Sequence, residues 1–447
     1  MASVQPRGKS FSVVYTHEGK QIWESFKTKK EADKRKLQID YEQVKGTFLP
    51  PSPMTLEKFL EDYVELYGTT NWDHSSYSNN VSLMNNYINP IIGQLKLKEI
   101  NAKRMDKYFT QLKSMEAIQQ TGRLLNPGLI SNRNIHDINL LLHNAFNRAV
   151  EWGDISINPV TKNACPKRET AERIIWEPEV AKRALSICKN LTLLACMHLS
   201  IACSMRIGEI TGITWPLLSF GDVNNNFADA VLKIDAQLQR ISMKSYEKLK
   251  GKKNHIKFIF PACRENNKTM LVLKNLKTNS SRREVWIPRT TAAILWKVKK
   301  EQDEIKAILG DEYQDFGLII AQKNGRPYEG KIIDDMFLSF ISENELPVVE
   351  FHSLRHLSTT VKLQISKGDI KSVQGDTGHA QAKMVTDTYA HILDKSRKKT
   401  AKLFEQAFYA GQDETTEDSN DFIEKLLTAC LTKPEVVMRL KNVLSSD

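Results

Sequence analysis

The chain has 447 residues, with 64 Lys and Arg against 53 Asp and Glu and a formal net charge of +11. Hydrophobic residues make up 41% and charged residues 26%, a balance that excludes a mainly disordered chain. No run approaches the ~18 consecutive apolar residues of a membrane-spanning helix. The opening residues, Met1 to Phe11, carry no apolar stretch after their charges, so a soluble cytoplasmic protein without membrane partners is expected.

Six cysteines (Cys165, Cys188, Cys196, Cys203, Cys263, Cys430) are scattered with no C-x-x-C pair. Reduced thiols are expected, with no zinc site, and the three within 188–203 fall in an apolar stretch where a buried structural role fits best. The positive charge suits a polyanionic partner without specifying one.

Residues 1–50 read as a small sheet followed by a helix. Ser10 to Tyr15 and Gln21 to Lys27 are strand-like about the turn at His17 to Lys20, and a shorter strand precedes Arg7-Gly8-Lys9. Thr28-Lys29-Lys30-Glu31 is a capping box that opens a helix running towards Val44. A proline-rich stretch, Phe48 to Pro53, is a stiff linker.

From Thr55 to Asn158 the pattern is helical throughout, with helices from 55 and around 76–90, 102–115 and 130–152. The last of these repeats Ile135, Ile138, Leu141, Leu142, Ala145 and Ala149 at threes and fours until Gly153. A mixed region of helices and strands covers 174–410, with a lysine-rich excursion at 240–270. Residues 411–447 begin acidic and continue as two short amphipathic segments.

Four local patterns in the third region bear on chemistry. Ser204-Met205-Arg206-Ile207-Gly208-Glu209 places an arginine between two helices, with a carboxylate three residues on. This fits either a rigidly held anion-binding arginine or a helix-capping ion pair. Lys277 to Arg283 (Lys-Thr-Asn-Ser-Ser-Arg-Arg) reads as the tip of a β-hairpin whose second strand resumes at Glu284. In His352-Ser353-Leu354-Arg355-His356, spacing i, i+3 brings His352 and Arg355 to one helix face. The His352–His356 spacing also suits a metal pair, but no glutamate stands between them as in H-E-x-x-H. Thr377-Gly378-His379 and Asp387-Thr388-Tyr389 follow.

Taken in order, R-x-G-E, K-T-x-x-S-x-R, H-x-L-R-H, G-H and a tyrosine ten residues later resemble the tyrosine recombinase (phage-type integrase) family. The resemblance covers most of the chain. It implies a multidomain fold: a small β-sheet-plus-helix N-terminal domain, an all-α core-binding domain and a mixed α+β, mainly helical catalytic domain. The corresponding spans are an arm-DNA-binding domain at 1–50, a core-DNA-binding domain at 55–158, the catalytic domain at 174–410 and the acidic tail at 411–447.

The resemblance also implies catalytic residues Arg206, Lys277, His352, Arg355, His379 and Tyr389, acting without metal or other cofactor. Tyr389 is the nucleophile, Arg206 and Arg355 hold the phosphate, His379 adds a hydrogen bond, His352 takes a proton and Lys277 gives one. The expected activity is integration and excision of a mobile element, a prophage or conjugative transposon. It works through a 3′-phosphotyrosyl intermediate and a Holliday junction, with double-stranded DNA core and arm attachment sites as partners. Family members work as homo-tetramers on DNA, commonly with DNA-bending and excision accessory proteins. Type IB topoisomerases and dimer resolvers share the chemistry, and the arm domain favours an integrase over both. Three features depart from the family pattern: Gln374 to Thr377 before the G-H pair, the 240–270 excursion and the tail.

Overall fold

The computed structural model describes residues 2–17, 19–45, 53–118, 128–160, 174–262, 264–276 and 278–378, with Phe404 and Thr428 beyond them. The chain divides into two compact units, one made of residues 1–173 with 238–275, the other of 174–237 with 276–447. Among the described residues no helix is long and apolar enough to cross a membrane.

The first unit opens with β1 (Ser3–Arg7), β2 (Ser10–His17) and β3 (Lys20–Phe26), an antiparallel sheet in that order, followed by α1 (Lys29–Val44). Val13 and Tyr15, two apart on β2, share the face that packs on Ala32 and Ile39 of α1. Thr28 Oγ1 accepts from the Glu31 N–H at 3.3 Å while Glu31 Oε2 accepts from the Thr28 N–H at 3.2 Å, so two otherwise orphaned helix donors are satisfied. Sheet and helix are also tied by charge. The Tyr15 hydroxyl donates to Glu24 Oε1 at 2.6 Å, and Arg35 grips the same carboxylate through Nε at 2.8 Å and Nη2 at 3.1 Å. Burial pushes the Glu24 carboxyl up, but these bonds outweigh it and hold the group below its ordinary range.

Helices α2 (Leu56–Tyr63), α3 (His74–Leu83), α4 (Ala102–Lys113) and α5 (Asn132–Glu151) follow, capped by Thr55, Asp73, Asn101 and Ser131. Both α2 and α3 run on into wide π turns, at Val64–Gly68 and Met84–Ile88. Ile135, Ile138, Leu142, Ala145 and Ala149 of α5 lie in one core with Phe59, Leu60 and Tyr63. Each large apolar side chain buried there contributes about 1.5–3 kcal/mol.

The second unit contains α6 (Pro178–Ile187), α7 (Leu191–Ala202), the short α8 (Ile207–Ile210), β4 (Leu218–Ser219) and β5 (Val231–Ile234). An excursion then carries β6 (Ala236–Ser242), α9 (Met243–Lys248), β7 (Ile256–Ile259) and β8 (Thr269–Asn275). The second unit resumes with β9 (Arg283–Trp286), α10 (Arg289–Leu309), α11 (Gly330–Glu343), α12 (His352–Ile365) and α13 (Ile370–Thr377). Its core includes Leu193, Cys196, Met197, Leu199 and Cys203, with Leu295, Phe337 and Leu354. Burial pushes the Cys203 thiol up to about 12, which keeps it protonated and inert.

Leu238–Asn275 groups with the first unit although the second surrounds it in sequence. Polar contacts join it to α3: Ser78 and Ser242 hydroxyls at 3.1 Å, His74 Nδ1 and Ser245 Oγ at 3.2 Å, and Lys274 with Asp73. The hairpin expected around Lys277 does not form. Strands β8 and β9 belong to different sheets, ordered β6-β8-β7 and β4-β5-β9. With β6 on one edge of β8 and β7 on the other, no edge is left for β9, which pairs with β5 from Val231↔Trp286 to Ile234↔Arg283.

Candidate active site

The site is built where α7 ends. Ser204 is fully buried and takes φ +52, a left-handed conformation that costs a non-glycine residue about 1–2 kcal/mol and gathers at functional sites. Its hydroxyl meets that of Ser358 on α12 at 2.6 Å. Its carbonyl accepts from Arg355 Nη1 and, at 3.4 Å, from Arg283 Nη2. The strained turn thus aims one carbonyl at two guanidinium groups.

Two residues on, Arg206 precedes α8, and Glu209 in that helix is 1% exposed. Glu209 Oε1 accepts from Arg206 Nη1 at 2.9 Å, and Oε2 accepts from the Arg206 backbone N–H at 3.1 Å. Oε2 also accepts from Arg283 Nη2 at 3.1 Å. Burial raises the Glu209 pKa, but the charges of Arg283, Arg206 and Arg355 outweigh it and hold the carboxyl below its ordinary range. Three guanidiniums around one carboxylate leave an excess of two positive charges, an arrangement suited to an anion.

Arg355 lies in the first turn of α12, where a cation is opposed by the helix dipole. Its bonds compensate: besides Ser204, it donates to the Thr377 carbonyl at 2.6 Å, and it is 1% exposed. His352, the first residue of the helix, is exposed, and its ring meets that of His356 edge-on with centroids 4.9 Å apart. Thr377 ends α13, and Gly378 follows at φ +63 as a left-handed cap.

The fold therefore brings Arg206 and Arg355 to one carbonyl–carboxylate cluster, with His352 one helical turn before Arg355. Lys277, His379 and Tyr389 lie outside the described residues. Sequence reasoning passed over two participants. Glu209 read only as the partner of Arg206, and Arg283 was the unweighted last letter of K-T-x-x-S-x-R. Among the described residues, no group of His, Cys, Asp and Glu is arranged to hold a metal ion.

The profile of the phage integrase family matches residues 175–396, and that of the phage integrase N-terminal SAM-like domain matches residues 55–113. A tyrosine recombinase XerC-like protein of Caldanaerobacter subterraneus is 22% identical over 334 residues, 72% of this chain and 75% of that protein. An integrase of Saccharopolyspora erythraea is 23% identical over 387 residues, 80% of this chain and 83% of that one. Among solved structures, the Tn1549 transposon integrase in complex with circular intermediate DNA superposes with a TM-score of 0.58 at 18% identity. That match covers 78% of this chain and all of that one. The chain belongs to the phage integrase family and is a tyrosine-type site-specific recombinase.

Proposed function

We propose that the protein integrates and excises a mobile element by cutting and rejoining double-stranded DNA, with Tyr389 as nucleophile. The observation that carries this reading is the cluster of Arg206, Arg283 and Arg355 around buried Glu209, with its surplus of positive charge. The Tn1549 relative in complex with DNA supports DNA as the partner.

In the cleavage step Tyr389 Oη bonds to the scissile phosphorus and the bond from phosphorus to the 5′-oxygen breaks. The product is a 3′-phosphotyrosine and a free 5′-hydroxyl. The phenol, with an ordinary pKa near ~10, needs a base, and His352 takes its proton. Lys277 supplies the proton that the departing 5′-oxygen gains. Negative charge that builds on the non-bridging oxygens is met by the guanidiniums of Arg206 and Arg355 and by a hydrogen bond from His379. The phosphotyrosine conserves the bond energy, so religation to a second DNA end follows by reversal. Four protomers that exchange strands in pairs would pass through a Holliday junction. The sheet at the N-terminus takes arm sites, and DNA-bending and excision proteins bias the direction.

The test is a suicide duplex carrying the element's core site, incubated in EDTA with wild type and with Tyr389→Phe. A denaturation-resistant protein–DNA adduct in wild type alone is the expected result. An adduct in the variant, or none in wild type on a verified core site, would overturn the reading.

A further inference from the structure

Arg283, at the start of β9, has a side chain only 6% exposed. Its guanidinium donates to Glu209 Oε2 at 3.1 Å and to the carbonyls of Ser204 at 3.4 Å, Ser281 at 3.0 Å and Asp376 at 3.0 Å. An arginine is expensive to bury, and one that only filled space at a strand end would be replaceable by an apolar residue at lower cost. What sets Arg283 apart is the company it keeps. Both Ser204 and Glu209 contact a second arginine of the cluster, Arg355 and Arg206 respectively.

The two oxygens of Glu209 divide the work. Oε1 orients the Arg206 side chain, while Oε2 receives both the Arg206 backbone and Arg283. Arg206 is 36% exposed, and its remaining guanidinium N–H groups have no partner among the described residues. Without Arg283, Arg206 would be the principal counter-ion of a buried carboxylate, and much of its field would be spent there. With Arg283 present, Glu209 still fixes the direction of Arg206, while its charge is balanced from the other side.

We propose that Arg283 is a positioning residue for strand cleavage: it balances the charge of Glu209 so that Arg206 is oriented by that carboxylate yet keeps its positive field for the scissile phosphate. The inference rests on the reading of Arg206 as a phosphate clamp. Arg283 also holds the last turn of α13, where its Nε donates to the Asp376 carbonyl at 3.0 Å.

The test compares full-length wild type, Arg206→Ala, Arg283→Ala and Arg283→Lys on two core-site suicide duplexes. One carries the ordinary scissile phosphodiester. The other carries a methylphosphonate, in which a methyl group replaces one non-bridging oxygen and removes its charge. Arg283→Ala is expected to bind DNA as wild type does but to cleave the phosphodiester about 10²-fold more slowly. On the methylphosphonate that deficit shrinks to below about tenfold, in parallel with the deficit of Arg206→Ala, because less charge is left to stabilise. Arg283→Lys keeps a cation beside Glu209 but loses the planar fork, and serves where the alanine variant fails to fold. Its deficit is smaller, about tenfold by the same argument, and shrinks likewise. An equal deficit on both duplexes, or none, would overturn the proposal. Wild-type cleavage of the phosphodiester by Arg206→Ala would overturn the clamp reading beneath it.

Discussion

Lys274, next to last in β8, places its ammonium 2.8 Å from each carboxylate oxygen of Asp73, 201 residues earlier in the chain. The lysine side chain is 3% exposed. Asp73 meanwhile accepts from the His74 N–H at 2.8 Å as the cap of α3. One carboxylate therefore closes a helix end and neutralises a buried cation. Burial raises its pKa, but Lys274 and the backbone bond outweigh that and hold it below the ordinary range.

Removal of the carboxylate alone strands a buried charge. Asp73→Ala should destabilise the first unit by about 3–5 kcal/mol, measured by urea unfolding followed on that unit. The paired change Asp73→Asn with Lys274→Met leaves no charge unbalanced and keeps a capping side chain, so it should cost far less. Equal losses in the two variants would mean that the ion pair is not what secures the 238–275 excursion.

The same corner responds to acid. His74 is 2% exposed, its Nε2 has no hydrogen-bond partner among the described residues, and burial with the Lys274 charge holds its pKa below the ordinary 6.5. A histidine kept neutral in the fold binds its proton first in the unfolded chain. Stability is then full above about pH 6.5 and declines as pH falls towards the lowered folded value. Asp73, also lowered, adds a second decline that starts near its unfolded pKa of about 3.9. His74→Gln should flatten the first decline and leave the second, as read from urea midpoints between about pH 7 and 2.

How far the sequence could be read depends on the range of the forces involved. The periodicity of Ile135 to Ala149 was legible because a helix face is a local property, and the capping box at Thr28 and Glu31 because its partners are three residues apart. The failed hairpin at Lys277 had good local turn chemistry, in Asn279, Ser280 and Ser281. Its pairing was decided elsewhere, by β6 and β7 occupying both edges of β8. Asp73 with Lys274 and Arg283 with Asp376 were hidden for the same reason. Neither sequence position announces its partner. The motif letters carried Arg206 and Arg355 to one cluster, but not the strained Ser204 carbonyl that receives two of the arginines.

Arg206 and Arg355 differ in access, and their substitutions should differ in kind. Replacement of either by alanine should slow cleavage about 10²–10³-fold if each acts as one donor to the developing charge. Arg355 also holds the Ser204 and Thr377 carbonyls, so Arg355→Ala should lower the urea midpoint of the second unit as well. Partly exposed Arg206 should leave that midpoint nearly unchanged. Near-wild-type cleavage by either variant would remove that residue from the mechanism.

Gly378 combines a left-handed φ of +63 with neighbours 3.0 and 3.2 Å from any added Cβ, Arg283 Nη1 and the Ser280 carbonyl oxygen. Gly378→Ala should therefore cost about 1–2 kcal/mol for the backbone alone. It should also slow cleavage more than it weakens DNA binding, because the displaced atom belongs to Arg283. A variant that unfolds earlier yet cleaves at the wild-type rate would show that the turn serves the fold only.

The small sheet with α1 has its own core, built on Val13, Tyr15, Ala32 and Ile39, and its own ionic tie from Arg35 to Glu24. If this sheet takes arm sites, deletion of residues 1–50 should abolish the shift of arm-repeat DNA in a gel. Covalent adduct formation on a core-site suicide duplex should stay within about threefold, since the chemical step keeps every donor to the phosphate. Substitution of Arg35 by Met leaves Glu24 half-buried without its cation, and should weaken arm binding through loss of the sheet's fold rather than of a DNA contact. Loss of core cleavage on the deletion would contradict this division of labour and make the N-terminal sheet part of the cleaving enzyme.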